Sequence, residues 1–160
     1  MNNRGFSLME LMTVIALIGI LTALGTFGFS RYTTKTQIVN QTRLLYGDLM
    51  EYRLKALYEK KNWTFKIAAS SYGIYSSNLT SVTVAPVKTV VLKHPVGFNN
   101  SNDIVFDSQG MSDVSGISNK SVCISDANDA VVDSIVISAT RVSIGKKKGT
   151  SCAAANIDAQ

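Results

Sequence analysis

Residues 5–21 read Gly5-Phe6-Ser7-Leu8-Met9-Glu10-Leu11-Met12-Thr13-Val14-Ile15-Ala16-Leu17-Ile18-Gly19-Ile20-Leu21, and the apolar run continues to Phe29 with Glu10 as its one charge. A helix over 6–29 would reach about 36 Å at about 1.5 Å per residue, enough to cross a hydrocarbon core about 30 Å thick. An isolated carboxylate in such a medium costs several kcal/mol, so the pattern predicts a partner for Glu10. Two other readings of the same stretch stay open on the residues alone. One is a secretory signal peptide, for which Ala23-Leu24-Gly25 offers a small-x-small cleavage site. The other is a plain membrane anchor. Against the signal peptide stand a short positive region, Met1-Asn2-Asn3-Arg4, an apolar run longer than the usual ~7–15 residues, and the interruption by Glu10.

Beyond Phe29 the composition changes at Ser30-Arg31-Tyr32, yet the chain remains rich in helix formers as far as Lys61. Ile38, Leu45, Leu49, Tyr52 and Ala56 fall on one face of a 3.6-residue period, while Arg43, Asp48, Glu51, Lys55 and Glu59 are assigned mostly to the other side. The spacing predicts one helix from Phe6 to Tyr58, apolar all round in its first half and striped in its second, with Gly47 a mild weak point.

After Asn62 the period shortens to two. Trp63, Phe65 and Ile67 alternate with Thr64, Lys66 and Ala68, and further strands are expected over Tyr72–Tyr75, Ser81–Val84, Lys88–Leu92, Asp103–Phe106, Ser121–Ile124, Val131–Ser138 and Arg141–Ile144. Asp107-Ser108-Gln109-Gly110 reads as a turn, and Ala139-Thr140 as the turn of a hairpin. The fold class is therefore α+β, a long N-terminal helix whose stripe packs on a C-terminal antiparallel sheet. The 160 residues have room for one anchor and one globular domain.

The opening residues resemble the class III leader and N-terminal helix of type IV pilins and type II secretion pseudopilins, which place a small residue, an aromatic and a Glu at fixed offsets before an apolar helix. That resemblance implies a pilin fold divided into a leader (1–5), a transmembrane and filament-core helix (6–29), an amphipathic helix (30–60) and a β-rich domain (61–160). It implies that a prepilin peptidase cuts between Gly5 and Phe6 and that the Phe6 amine is N-methylated. It also implies that Glu10 meets the charged N-terminus of a neighbouring subunit, so that two groups costly to bury alone neutralise each other. The partners implied are the peptidase, other pilin or pseudopilin subunits and the bacterial inner membrane, with the C-terminal domain on the periplasmic or extracellular side. The chain departs from many pilins at Leu24–Phe29, which holds no helix-bending proline. There Gly25 and Gly28 provide either a soft spot or close helix contact.

Export, as the leader implies, makes a Cys123–Cys152 disulfide the expected pairing of the two cysteines; the alternative is a buried thiol on a strand and a loose one in the tail. The segments Ile104–Gly110 and Ile135–Val142, with a late Cys152, resemble the GspH/FimT branch of minor pilins and pseudopilins. DNA-binding members of that branch carry a Gly-Arg-x-Arg-like tail, whereas this chain reads Thr140-Arg141-Val142-Ser143. Arg141 with Lys146, Lys147 and Lys148 is the candidate DNA or anion contact. A solvated basic loop is the competing reading of the three lysines, and no interleaved aromatics provide stacking for single strands.

Nothing in the chain points to catalysis. His94, the one histidine, precedes Pro95 and reads as a surface residue, and no Gly-x-Ser-x-Gly elbow is present. Asp126-Ala127-Asn128-Asp129 with Asp133 only faintly resembles a calcium loop, because Ala130 and Val131 stand where that loop wants a ligand and a glycine. No metal or other cofactor is expected. The role these readings support is a structural one: a minor pilin or pseudopilin that helps initiate or cap a filament, with a major pilin forming the shaft as the alternative and a DNA-binding minor pilin as another.

Overall fold

A computed structural model of the chain describes residues 6–77, 84–113 and 119–159, and the side chains of 24–28 are not described. The chain divides into two compact units, Met1–Thr34 and Lys35–Gln160.

One helix, α1 (Leu8–Glu59), supplies the first unit and the start of the second. In the first unit every described side chain from Phe6 to Ala23 is exposed. The hydroxyls of Thr13 and Thr22 donate to the carbonyls of Glu10 and Ile18, at 2.9 and 2.7 Å. Their polarity is thus satisfied along the helix without water, as an apolar setting demands. Gly25 and Gly28 lie in the stretch whose side chains are not described.

In the second unit the expected stripe is the one that packs. Ile38, Leu45, Leu49, Tyr52 and Ala56 are all buried, joined by Thr42, whose hydroxyl returns to the Ile38 carbonyl. Asp48 departs from the expectation: it is buried, on the flank of the stripe rather than on the solvent side. The helix stops where Lys60 takes a left-handed φ of 51°, and the chain turns into the sheet.

Nine strands follow: β1 (Trp63–Ala68), β2 (Ser71–Tyr75), β3 (Lys88–Val91), β4 (Val96–Asn99), β5 (Asp103–Phe106), β6 (Lys120–Ile124), β7 (Ser134–Ile137), β8 (Val142–Lys147) and β9 (Ile157–Ala159). They form a four-stranded sheet ordered β3-β2-β1-β5 and a five-stranded sheet ordered β4-β6-β7-β8-β9, antiparallel throughout. One core joins the helix stripe to Phe65, Tyr72, Ile74, Ile104 and Phe106 of the first sheet and to Val122, Ile124, Ile135 and Ile137 of the second. Tyr52 on α1 meets Trp63 at 4.8 Å between ring centroids and Phe65 edge-on at 5.8 Å, which anchors the end of the helix to β1.

Several expectations shift in detail. Of the strand expected at Ser81–Val84, residues 81–83 lie outside the described residues and Val84 is not in a strand. The Val131–Ser138 strand shrinks to β7, because Val131 turns outward while Asp133 keeps one backbone bond to each neighbouring strand, at Ile124 and Gly145. The last strand lengthens in the other direction, so Lys146 and Lys147 belong to β8 and not to a loop. The turns fall where expected. Ser138 N–H donates to the Arg141 carbonyl at 2.8 Å, and Asp107 Oδ1 accepts the N–H groups of Gln109 and Met111 around Gly110, whose φ is 72°.

Candidate functional site

Two regions carry the candidate residues, and each is built differently. The first is the start of α1. Phe6 is 84% exposed, and Leu8, Met9, Leu11, Met12, Ile15, Leu17, Ile18, Ile20 and Leu21 are all large exposed apolar side chains. They point to every side of the helix, whereas a helix lying on a globular core shows one apolar stripe and one polar face. Apolar surface of this extent marks a segment that a partner or a lipid covers. Glu10 lies within it, and among the described residues its carboxylate has no ion-pair partner. Gly5 lies outside the described residues. Among the described residues no helix is long and apolar enough to cross a membrane. The apolar stretch with described side chains, residues 8–23, would measure about 24 Å.

The second region is the C-terminal end of the five-stranded sheet. Cys123 on β6 and Cys152 beyond β8 form a disulfide, with 5.8 Å between their Cα atoms. The three lysines do not form a shared basic surface. Lys146 Nζ donates to the Asn128 carbonyl at 3.0 Å, to Asn128 Oδ1 at 3.3 Å and to Asp133 Oδ2 at 3.1 Å. Lys147 Nζ donates to the Ile124 carbonyl at 2.9 Å. Lys148 is mostly exposed but pairs with Asp158 at 2.6 Å, and Arg141 Nε donates to Ser143 Oγ at 2.7 Å. These contacts spend much of the positive charge inside the chain, where a phosphate cannot use it.

Asp133 explains why Lys146 turns inward. Its side chain is 2% exposed, and burial alone would raise its pKa. The Lys147 N–H at 2.8 Å, the Ser134 hydroxyl at 2.7 Å and the Lys146 ammonium outweigh burial and hold the carboxyl below its ordinary value. Asp133 is therefore fully engaged, while Asp129 pairs with Lys35 at 3.5 Å and Asp126 Oδ2 lies 3.9 Å from His94 Nδ1. The acids that faintly suggested a calcium loop thus face separate cationic or basic groups. Among the described residues no group of three His, Cys, Asp or Glu is placed to hold a metal ion.

His94 is half-buried and not on the surface as expected. Gln41 of α1 fixes its backbone, with Oε1 accepting the N–H groups of Lys93 and His94 at 2.9 Å each and Nε2 donating to the His94 carbonyl at 2.7 Å. Two more helix residues serve as struts, Arg53, which periodicity did not single out, and Asp48, which it set away from the stripe. Arg53 donates from Nε to the Gly110 carbonyl at 2.8 Å and from Nη2 to the Thr140 carbonyl at 2.6 Å, holding both turns to the helix. Asp48 accepts the Tyr72 hydroxyl at 2.6 Å and the Lys88 ammonium at 2.9 Å. Burial, and then the bond to Asp48, push the Tyr72 phenol well above its ordinary pKa; the same carboxylate raises that of Lys88. The one sequence signal for Asp48 and Arg53 is their position beside Leu49 and Tyr52, on the flanks of the stripe.

Residues 1–26 match the family model described as the prokaryotic N-terminal methylation motif. None of the curated proteins matches the chain. Among solved structures, the type IV minor pilin FimU of Pseudomonas aeruginosa strain PAO1 is similar in two crystal forms. One has 15% identity and a TM-score of 0.56, covering 71% of this chain and 98% of the other. The second has 15% identity and a TM-score of 0.58, covering 76% and 98%. At this identity the likeness establishes the fold, a long helix followed by antiparallel sheet. The chain thus joins an N-terminal match to the methylation motif with the fold seen in the minor pilin FimU.

Proposed function

We propose that this chain is a minor pilin or pseudopilin, a structural subunit that helps initiate or cap the filament of a type IV pilus or a type II secretion pseudopilus. The observation that carries this reading is the start of α1, apolar on every side, with Glu10, four residues after Phe6, lacking an ion-pair partner among the described residues. In this reading prepilin peptidase removes residues 1–5 and Phe6 is N-methylated. Residues 6–29 are held in the bacterial inner membrane, with the C-terminal domain on the periplasmic or extracellular side, and then pass into the filament core among other subunits. Glu10 takes the Phe6 amine of a neighbour as its partner, which sets register at the moment both charges leave water. The role is structural and not enzymatic. The branch resembling GspH/FimT proteins is the favoured subtype, and a major pilin of the shaft is the alternative.

DNA capture is the weaker alternative. It would have to use Lys148 and Arg141, since Lys146 and Lys147 are turned to acceptors within the chain. Glu10→Val tests the central reading: the protein should still insert in the membrane but fail to enter filaments, scored by its absence from sheared filament fractions. Incorporation at the wild-type level would refute the proposed role of Glu10.

A further inference from the structure

The central strands β6 and β7 of the five-stranded sheet are buried on both faces, although α1 covers one. Val122, Ile124, Ile135 and Ile137 point into the main core, while Cys123 and Val136, alternating with them, cluster with Ile157 of β9 and with Cys152 and Ala154. The second face is thus covered by the chain's own C-terminal segment. Its fit is specific: a side chain at Gly145 would collide with the Asp158 carbonyl and with Ile157, so only glycine lets β9 lie against β8. Ser121, fully buried, donates its hydroxyl to the Cys152 carbonyl.

The noncovalent hold on this segment is slight. β9 is three residues long, at the lower end of usual strand lengths. The Lys148–Asp158 pair is 67% and 63% exposed, where ion pairs add little. Apart from its ladder, the segment's backbone is held to the sheet by the Ser121 hydroxyl on the Cys152 carbonyl, while Lys148 N–H donating to the Asn156 carbonyl and Asn156 N–H to the Ala153 carbonyl, both at 2.8 Å, fold the segment on itself. The Cys123–Cys152 bond, bridging a sequence separation of 29, is the strongest tie. Cys152 is half-buried whereas Cys123 is 2% exposed, so an incoming thiolate reaches the Cys152 sulfur first.

We propose that residues 148–159 form a redox-latched cap on the β8 edge of the sheet. With the disulfide closed, β8 is paired within the chain. With both thiols free, the cap lifts as a unit, uncovering β8 and the small-residue face of Ser121, Ser134, Ser143 and Gly145, while α1 and the other strands stay folded. Opening requires an external dithiol: its two sulfurs form a new disulfide as the Cys123–Cys152 bond breaks, and its two protons end on the cysteine sulfurs. Oxidation by a disulfide donor after export runs the step backwards and closes the cap.

Hydrogen exchange on the full chain in detergent micelles, with and without dithiothreitol, tests this. Reduction should speed exchange of the amides through which β8 and β9 pair at least about tenfold and leave the β1 and β2 amides within about twofold of the oxidised protein. Reoxidation should restore the original rates. Cys152→Ser should reproduce the reduced pattern without reductant, and Gly145→Val should loosen β9 with the disulfide intact. Unchanged exchange of the amides pairing β8 with β9 on reduction would overturn the latch. So would loss of protection spreading through β1 and β2, since the bond would then support the whole domain.

Discussion

Replacing Lys88 by Met leaves the buried Asp48 carboxylate with one side-chain donor among the described residues, the Tyr72 hydroxyl at 2.6 Å. Breaking a fully buried pair by removing one partner costs about 3–5 kcal/mol. Here the Lys88 side chain is 41% exposed and that of Asp48 9%, so water screens the attraction and can reach the vacated space. With the Tyr72 bond retained, the loss should be about 1.5–2 kcal/mol. Tyr72→Phe removes a bond to a charged acceptor and should cost about 1.5–3 kcal/mol. Because both donors serve one carboxylate, the double variant should deviate from additivity by at least about 0.5 kcal/mol. Urea unfolding of the full chain in micelles measures this through Trp63, the one tryptophan, buried against Tyr52. The pH dependence has a defined sign. The raised Lys88 pKa means its contribution is complete below 10.5, the ordinary lysine value, and is lost as pH rises through the folded value. Lys88→Met unfolding within about 0.3 kcal/mol of wild type would refute the reasoning, since the carboxylate would then be adequately solvated on its own.

Other outcomes follow from the same contacts. Asp133, held below its ordinary value of 3.8, contributes stability that is present above that pH and lost as pH falls through the folded value. Asp133→Asn should therefore flatten the fall of the urea midpoint between about pH 5 and pH 2, and an unchanged slope would contradict the assignment. Arg53→Met keeps the aliphatic stem but removes both struts to the turns at Gly110 and Thr140. It should cost about 1–3 kcal/mol and speed exchange of the Ser112 amide, which bonds to the Ala139 carbonyl between those turns. Wild-type exchange at Ser112 would show that the turns hold themselves.

The helix was legible because its information is periodic. Ile38, Leu45, Leu49, Tyr52 and Ala56 announce a buried stripe by spacing alone, and the apolar first half announces itself by the absence of any polar face. Asp48 was not legible, because hydropathy places a carboxylate in water and cannot see Tyr72 and Lys88 arriving from strands 24 and 40 residues away. Lys146 and Lys147 were misplaced for a related reason: a run of lysines reads as a loop unless Asp133 and the Ile124 carbonyl are known to wait beside β8. β4 was hidden by Pro95, Gly97 and Asn99, which resemble a loop. β9 was hidden in a short polar tail that owes its order to a disulfide and to the space left by Gly145. At the N-terminus the residues predicted a charge needing a partner, and among the described residues Glu10 has no ion-pair partner.

The most direct test of the account is the intact mass and N-terminal sequence of the protein recovered from the membrane of cells that assemble the filament. The expected chain has lost residues 1–5 and begins at Phe6 carrying one added methyl group. A chain still beginning at Met1, or one beginning at Thr26 after a signal-peptidase cut behind Gly25, would contradict it.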